Sequence, residues 1–325
     1  MKILLNILSV FYAAGAFIHK VLSRPRKPPL PVISVGNITA GGSGKTPLAA
    51  KIAAGLEVKT AIVLRGYRRK SRGVLETESD DFIRYGDEAV LHRRKNPSSV
   101  VIVAGNRYKG VIAAAKAGAE AVILDDGFQS LEVRKDINIL VIDCGAPFGG
   151  KKLLPRGRLR EPLTALSRAD CFVLNRADSV STGELKKIRH TVSNYKPEPL
   201  FFEASEKMSG YGKIHSDTVY PPDYLKGKKT LSFSGIGRPE AFRRLLISSG
   251  ALLEDEVIRR DHHGWSVSEL KRITRKAREK GCIPVTTEKD AARIPFSSGI
   301  DGLFLRMETV ISDERKFYEY IRKVI

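Results

Sequence analysis

The stretch from Asn37 to Pro47, Asn-Ile-Thr-Ala-Gly-Gly-Ser-Gly-Lys-Thr-Pro, holds residue types that bind phosphate. Gly41, Gly42 and Gly44 permit a tight turn whose backbone N–H groups converge on an anion. Lys45 adds a flexible cation for the β- and γ-phosphates of a nucleotide, and Thr46 a hydroxyl for Mg2+. A helix starting near Lys45 points its positive end at the same anion. Thr39, Ala40, Gly41, Gly42, Ser43, Gly44, Lys45 and Thr46 are therefore the candidate nucleotide-binding residues. The usual motif has Gly where Thr39 stands. Thr39 lies at the loop's entrance, where no phosphate contact is obligatory, and Pro47 falls in the first helical turn, where its missing N–H costs little. A glycine-rich turn that happens to contain Lys-Thr would look the same over these residues alone. The strand before it, the helix after it and an acidic strand end downstream argue against that reading.

That strand end is Val-Ile-Leu-Asp-Asp-Gly, with Asp125 and Asp126. Beside a phosphate loop, such carboxylates hold Mg2+ or its waters, so Thr46, Asp125 and Asp126 form the candidate metal set. Asp87, in Tyr-Gly-Asp-Glu-Ala-Val, is a candidate general base, although Asp before a helix is also a common cap. Asp261, His262 and His263 precede Ser266 and Glu269, which read as a capping box, so the histidines occupy the loop before a helix. If Asp87 and His262 meet, they form an acid–base pair able to take a proton from a hydroxyl. Arg65, Arg68, Arg69, Lys70 and Arg72 cluster in one segment, and Arg156, Arg158 and Arg160 in another. Runs of this kind are usually solvated surface, but here they follow strands or loops on the expected ligand side and suit a phosphate or an anionic lipid. Asn175 to Asp178, Asn-Arg-Ala-Asp, imitates a guanine-reading motif with Arg in place of Lys, and keeps a P-loop GTPase or metallocentre chaperone open as an alternative.

These residues need a scaffold. Pro31–Val35, Thr60–Leu64, Ser99–Ala104, Ala119–Asp126, Ile137–Asp143 and Cys171–Asn175 are short, largely apolar runs separated by helical segments. Continuous apolar strands alternating with helices predict an α/β fold: a mostly parallel sheet, P-loop NTPase-like, covered on both faces. The ligand then lies at the carboxyl ends of the strands, where the polar residues above occur. Beyond Phe202 the sequence turns polar and turn-rich, which reads as a linker into a second, smaller α/β unit. The expected division is 1–28, an apolar helix and basic linker; 29–202, the P-loop domain; and 203–325, linker strands and the smaller domain.

The segment Ile3–Ile18 is nearly all apolar and flanked by basic residues. It is short for a membrane span, which needs about 20 apolar residues. A helix lying in the membrane interface, with cations facing anionic headgroups, fits it, and simple packing on the domain is the plainer alternative. Of the 325 residues, 42% are hydrophobic and 28% charged, which excludes a disordered chain. The formal charge of +20 favours anionic partners. No aromatic-basic RNA motif is visible, so a nucleic-acid partner is not expected. Cys144, Cys171 and Cys282 are scattered and form no CxxC pair, which fits a reducing compartment and does not support zinc.

Taken together, the segments Ser-Val-Gly-Asn-Ile-Thr-Ala-Gly-Gly-Ser-Gly-Lys-Thr-Pro, Leu-Arg-Gly-Tyr-Arg-Arg-Lys-Ser-Arg-Gly, Gly-Asp-Glu, Asn-Arg-Tyr-Lys-Gly, Ile-Leu-Asp-Asp-Gly-Phe-Gln, Leu-Leu-Pro-Arg-Gly-Arg-Leu-Arg-Glu-Pro-Leu, Phe-Ser-Gly-Ile-Gly-Arg-Pro-Glu-Ala-Phe, Asp-His-His-Gly-Trp-Ser and Thr-Thr-Glu-Lys-Asp-Ala resemble the tetraacyldisaccharide 4'-kinase family, in that family's order. The resemblance implies transfer of the ATP γ-phosphoryl group to the 4'-hydroxyl of a tetraacylated disaccharide 1-phosphate, giving lipid IVA, with Mg2+. It implies a lipid-linked substrate, an anionic membrane surface, a peripheral or monotopic place on the cytoplasmic face of the inner membrane, and a monomer. By position it makes Asp87 and His262 the catalytic residues, and Arg65, Arg68, Arg107, Arg160 and Glu161 candidates for substrate. One departure is that Ser130-Leu131 follows Gln129 where the family often has His-Arg.

Overall fold

The structure, a computed structural model, describes residues 8, 9, 11–13, 15, 18, 22–67 and 69–325. They form two compact units. The first takes the described residues up to Ser79, Ile83–Glu206 and Thr309–Ile325; the second takes Asp80–Phe82 and Lys207–Glu308.

In the first unit, β1 (Val32–Gly36), β2 (Thr60–Leu64), β4 (Val100–Ala104), β5 (Ala121–Asp125), β6 (Ile137–Asp143), β7 (Cys171–Asn175) and the start of β8 (Leu200–Lys213) lie parallel, and only the short β3 (Val74–Glu76) runs antiparallel, on β4. The order is β8-β7-β6-β1-β5-β2-β4-β3, so the chain reverses direction across the sheet at β1. That is where an open parallel sheet leaves a crevice at its carboxyl edge.

Period-2 alternation with both faces apolar accounts for the layers. Ile33, Val35, Ile62, Ile123, Ile139, Val141, Cys171 and Val173 pack in one cluster with Leu48 and Ile52 of the helix Lys45–Gly55. Val32, Ala61, Val63, Val122 and Leu124 point the other way, onto Val111 and Ala114 of the helix Arg107–Lys116. Leu140, Phe172 and Leu174 meet Ile188 and Val192 of the helix Thr182–Ser193.

Two expectations are corrected. The polar stretch after Phe202 is not a loose linker: β8 continues to Lys213 and pairs antiparallel with β9 (Val219–Tyr220). Intermediate and buried positions alternate only from Phe201 to Ser205; beyond them Gly210, Tyr211 and Gly212 are buried in succession, and Tyr211 and Gly212 are the residues paired with β9. The C-terminal residues 309–325 belong to the first unit instead of the smaller domain. Phe317, Tyr318 and Ile321 are buried in the cluster under the helix Lys45–Gly55, and the Tyr318 hydroxyl donates to the Lys51 carbonyl at 2.7 Å.

The second unit holds β10 (Lys229–Ser234), β11 (Leu252–Ile258), β12 (Ile283–Thr287) and β13 (Leu303–Ile311), parallel in the order β11-β10-β12-β13. The helices Pro239–Ser248 and Val267–Glu279 bury Phe242 and Leu246, and Leu270, Ile273 and Ala277. At the other end of the chain, every described position from Leu8 to Leu22 is helical, with Phe11, Ile18 and Leu22 exposed. The remainder of the expected apolar helix lies outside the described residues. Among the described residues no helix is long and apolar enough to cross a membrane.

Candidate active site

Four polar residues continue the strand stripe that faces the helix Lys45–Gly55. Asn37 follows Ile33 and Val35; Asp125 follows Ile123; Asp143 follows Ile139 and Val141; Asn175 follows Cys171 and Val173. Each stands at or just past the carboxyl end of its strand, and their exposures are 0%, 2%, 7% and 3%. The apolar stripe that fixes the helix thus ends in groups that must find polar partners.

Two of them hold the phosphate loop. Asn37 Nδ2 donates to Thr39 Oγ1 at 3.1 Å and to Ser43 Oγ at 2.9 Å. Asn175 Nδ2 donates to the Ser43 carbonyl at 3.0 Å and to Glu206 Oε1 at 3.3 Å. Gly44 caps the helix at φ 90°, and a Cβ there would meet Asn175 Nδ2 at 2.2 Å, so both conformation and space require glycine. Thr39 forms an antiparallel bridge with Leu159. Ala40 N donates to the Arg158 carbonyl at 2.7 Å, and Arg160 N to the Ile38 carbonyl at 2.7 Å. The loop's entrance is therefore pinned by an isolated β-bridge, a pairing that a β-branched threonine suits and a glycine would weaken.

Asp126 leaves β5 with φ 53°, a left-handed backbone uncommon outside glycine. Its carboxylate meets Lys45 Nζ at 3.5 Å and Arg160 Nη1 at 2.8 Å. Burial would raise this carboxyl, but Lys45, Arg160 and Arg107 more than offset it and hold it below the usual range. Glu161 sits beside this cluster, accepting from Gln129 Nε2 at 2.8 Å and pairing with Arg168 at 2.7 Å. Gln129 also donates to the Asn37 carbonyl at 2.9 Å, linking the acidic strand end to the loop.

Asp125 points inward instead, toward His92. Its Oδ1 is buried and has no hydrogen-bond partner, an oxygen that calls for a donor or a cation. Among the described residues no group of three or more His, Cys, Asp or Glu could hold a metal unaided. Mg2+ usually arrives with nucleotide phosphates and needs only one or two protein oxygens, so the donors present fit it.

Asp87 is the first residue of the helix Asp87–Lys95 and is 7% exposed. Gly86, at φ 91°, brings the start of this helix against the turn at Gly66 and Tyr67: an added Cβ would lie 3.1 Å from the Tyr67 carbonyl. Arg65 is exposed. Arg68 lies outside the described residues. Arg107, expected at the substrate, is 3% exposed and donates to the Ala104 carbonyl at 2.7 Å and the Asp125 carbonyl at 3.3 Å. It ties two strand ends together, and burial lowers its basicity. Arg176 is committed to Asp143 at 2.9 Å, so the guanine-like motif holds the scaffold: Asn175 to the loop, Arg176 to the next strand.

The second unit builds its own constellation around Asp290, which is fully buried. Its carboxylate accepts from Gly235 N at 3.1 Å, Trp265 Nε1 at 3.1 Å and Thr287 Oγ1 at 2.7 Å, and faces Arg293 at 3.6 Å. His262 has φ 61° and donates its backbone N–H to the Gly235 carbonyl at 3.0 Å. Its Nε2 lies 3.4 Å from Lys289 Nζ. His263 faces Glu269 at 3.0 Å, within the expected capping box of Ser266.

Sequence reasoning missed Asn37, Gln129, Asp143 and Asp290 as site-builders. For Asn37 and Asp143 the available signal was parity, a polar residue standing where an apolar stripe should continue, whereas Gln129 and Asp290 lie outside the strands and carried no such signal.

A family model described as tetraacyldisaccharide-1-P 4'-kinase matches residues 1–325. A tetraacyldisaccharide 4'-kinase of Parvibaculum lavamentivorans is 37% identical over 319 residues, covering 94% of this chain and 86% of its own length. One from Syntrophus aciditrophicus is 33% identical over 347 residues, covering 99% and 93%. Among solved structures, an LpxK from Aquifex aeolicus, described as an "apo" form in complex with ATP, superposes with a TM-score of 0.81 at 28% identity and covers 99% of both chains.

Proposed function

Because the chain belongs to the tetraacyldisaccharide 4'-kinase family, we propose how its residues share the transfer of the ATP γ-phosphoryl group to the sugar 4'-hydroxyl. The loop Thr39–Thr46 receives the triphosphate, with backbone N–H groups on its oxygens and Lys45 on the β- and γ-phosphates. Asp87 accepts the hydroxyl proton as the sugar oxygen forms its bond to phosphorus. The bond from the γ-phosphorus to the bridging oxygen breaks, and ADP leaves with that oxygen. Lys45 and Arg160 neutralise charge on the transferring group. They are already paired with Asp126, so an incoming phosphate exchanges one anion for another without rebuilding the cationic pocket. Thr46 and Asp125 would hold Mg2+, which supplies charge neutralisation across the phosphates when bound.

For His262 the support is the family resemblance of its loop and a left-handed backbone of the kind that collects at functional positions. Arg65 remains a candidate for the substrate phosphate, and Glu161 for positioning near the loop. The lipid-linked disaccharide would be met at the cytoplasmic face of the inner membrane, where exposed Phe11, Ile18 and Leu22 of the N-terminal helix suit the acyl region of an anionic bilayer.

The observation that carries this reading is the convergence of Lys45, Asp126 and Arg160 on a phosphate loop braced by Asn37 and Asn175. The test is phosphorylation of the disaccharide 1-phosphate with ATP and with GTP. ATP is the expected donor, and Asp87→Ala should lose about 10²- to 10⁴-fold in kcat with nearly unchanged ATP binding. Preference for GTP, or normal turnover without the Asp87 carboxylate, overturns the assignment.

A further inference from the structure

We propose that His92 is a positioning residue for phosphoryl transfer, locking the helix that begins at Asp87 to the strand end that carries Asp125 and Asp126. The inference rests on the reading of Asp87 as proton acceptor.

In the sequence, His92 looks like part of the basic last turn of that helix, with Arg93, Arg94 and Lys95. Its side chain is instead fully buried, and its Nε2 lies 2.8 Å from Asp125 Oδ2, itself 2% exposed. A carboxylate oxygen only accepts, so Nε2–H donates. The other two polar atoms of the pair, His92 Nδ1 and Asp125 Oδ1, are buried without hydrogen-bond partners. One hydrogen bond is therefore the whole polar attachment between these side chains, and its dry surroundings strengthen it.

The two ends of this attachment both lead to proposed chemistry. On the helix, Asp87 precedes His92 by five residues, about 7.5 Å along a rigid axis. On the strand, Asp125 is followed at once by Asp126, which reaches Lys45 and Arg160. Ala89 and Val90 of the helix are fully buried, and apolar contacts of this kind are non-directional and fix rotation and sliding poorly. The hydrogen bond adds a buried, directional constraint between helix and strand. It also divides Asp125 between two tasks: Oδ2 serves the helix, and Oδ1 remains for a cation.

The test compares His92→Phe, which fills the space without a donor, with His92→Gln, which places an amide N–H near the position of Nε2. Relative to wild type, His92→Phe should lower kcat about 10- to 100-fold per folded enzyme, leave KM for ATP within about twofold, and loosen Mn2+ on the complex with a non-hydrolysable ATP analogue, read by paramagnetic resonance. His92→Gln should restore kcat to within about fivefold and restore Mn2+ binding with it. Wild-type kcat in His92→Phe overturns the proposal. So does equal impairment of the two variants at equal melting temperature. If His92→Phe does not fold, His92→Asn replaces it: its amide is too short to reach Asp125, and kcat equal to that of His92→Gln then counts against the proposal. An Asp87→Ala enzyme that still turns over normally removes the base assignment itself. An inactive Asp87→Ala beside a fully active His92→Phe removes only the role of His92.

Discussion

Asn175, the last residue of β7, donates to the carbonyl of Ser43 inside the phosphate loop at 3.0 Å. The loop is thus gripped by a strand two positions away from its own in the sheet. Gly44 leaves room for that grip. Gly44→Ala should raise KM for ATP strongly and lower stability by about 1–2 kcal/mol from the left-handed backbone alone. Asn175→Ala should cost about 1 kcal/mol, roughly fivefold in ATP affinity, because the Ser43 carbonyl loses its donor. The two effects should be non-additive in the double variant, since truncating Asn175 removes the clash; calorimetric titration with ATP reads all three.

Asp290 should be the main polar anchor of the second unit. Asp290→Ala removes the carboxylate that faces the buried Arg293 guanidinium at 3.6 Å and strips acceptors from Gly235 N and Trp265 Nε1. A loss of about 3–5 kcal/mol is expected. Thermal melts monitored by the fluorescence of Trp265, the single tryptophan, follow it directly. An unchanged melting temperature would contradict the network.

Lys135 gives a pH signature. Burial, with Arg168 adding to it and Glu161 opposing, pushes its ammonium down from 10.5 to about 7, and Nζ donates to the Phe128 carbonyl at 3.0 Å. The folded value lies below the unfolded one. Between about 7 and 10.5 the unfolded chain therefore holds a proton that the folded chain lacks, so stability rises with pH across that window. Lys135→Met should lack this rise. Urea midpoints at about pH 6.5 and about pH 9.5 should show the variant gaining relative to wild type at the lower pH and losing that advantage at the higher. Parallel pH dependence in the two proteins would exclude it.

Tyr12 links the N-terminal helix to the braced segment, its hydroxyl donating to the Arg160 carbonyl at 3.1 Å. The bond is partly exposed, so Tyr12→Phe should cost only about 0.5 kcal/mol. The expected signature is selective: KM for the lipid substrate rises about twofold while KM for ATP is unchanged. An equal change in both would mean that the bond serves the loop and not the helix.

The strands and the phosphate loop were legible because both are local: a run of Val, Ile and Leu, or Gly-Lys-Thr after a strand, carries its meaning within ten residues. Thr39 was legible as tolerable but not as useful, since its partner Leu159 lies in a distant loop. Arg107 was named a substrate candidate through the family resemblance alone, and only the fold reveals the carbonyls of Ala104 and Asp125 that it holds. Gln129 and Asp290 act through partners joined by packing, which no short window displays. The polar end of β8 was read as linker because it is rich in polar residues and glycine, and the partner strand β9 that defines it lies beyond a turn.

The parity of the strand stripes has an evolutionary consequence. Asp125, Asp143 and Asn175 face the phosphate-loop helix because each stands an even number of residues from apolar neighbours that pack on it. A single-residue insertion or deletion inside β5, β6 or β7 would swing its terminal polar group to the opposite side of the sheet, whatever its identity. Apolar substitutions in these strands should therefore be tolerated better than changes in their length, and variation in length is expected in the loops that follow them.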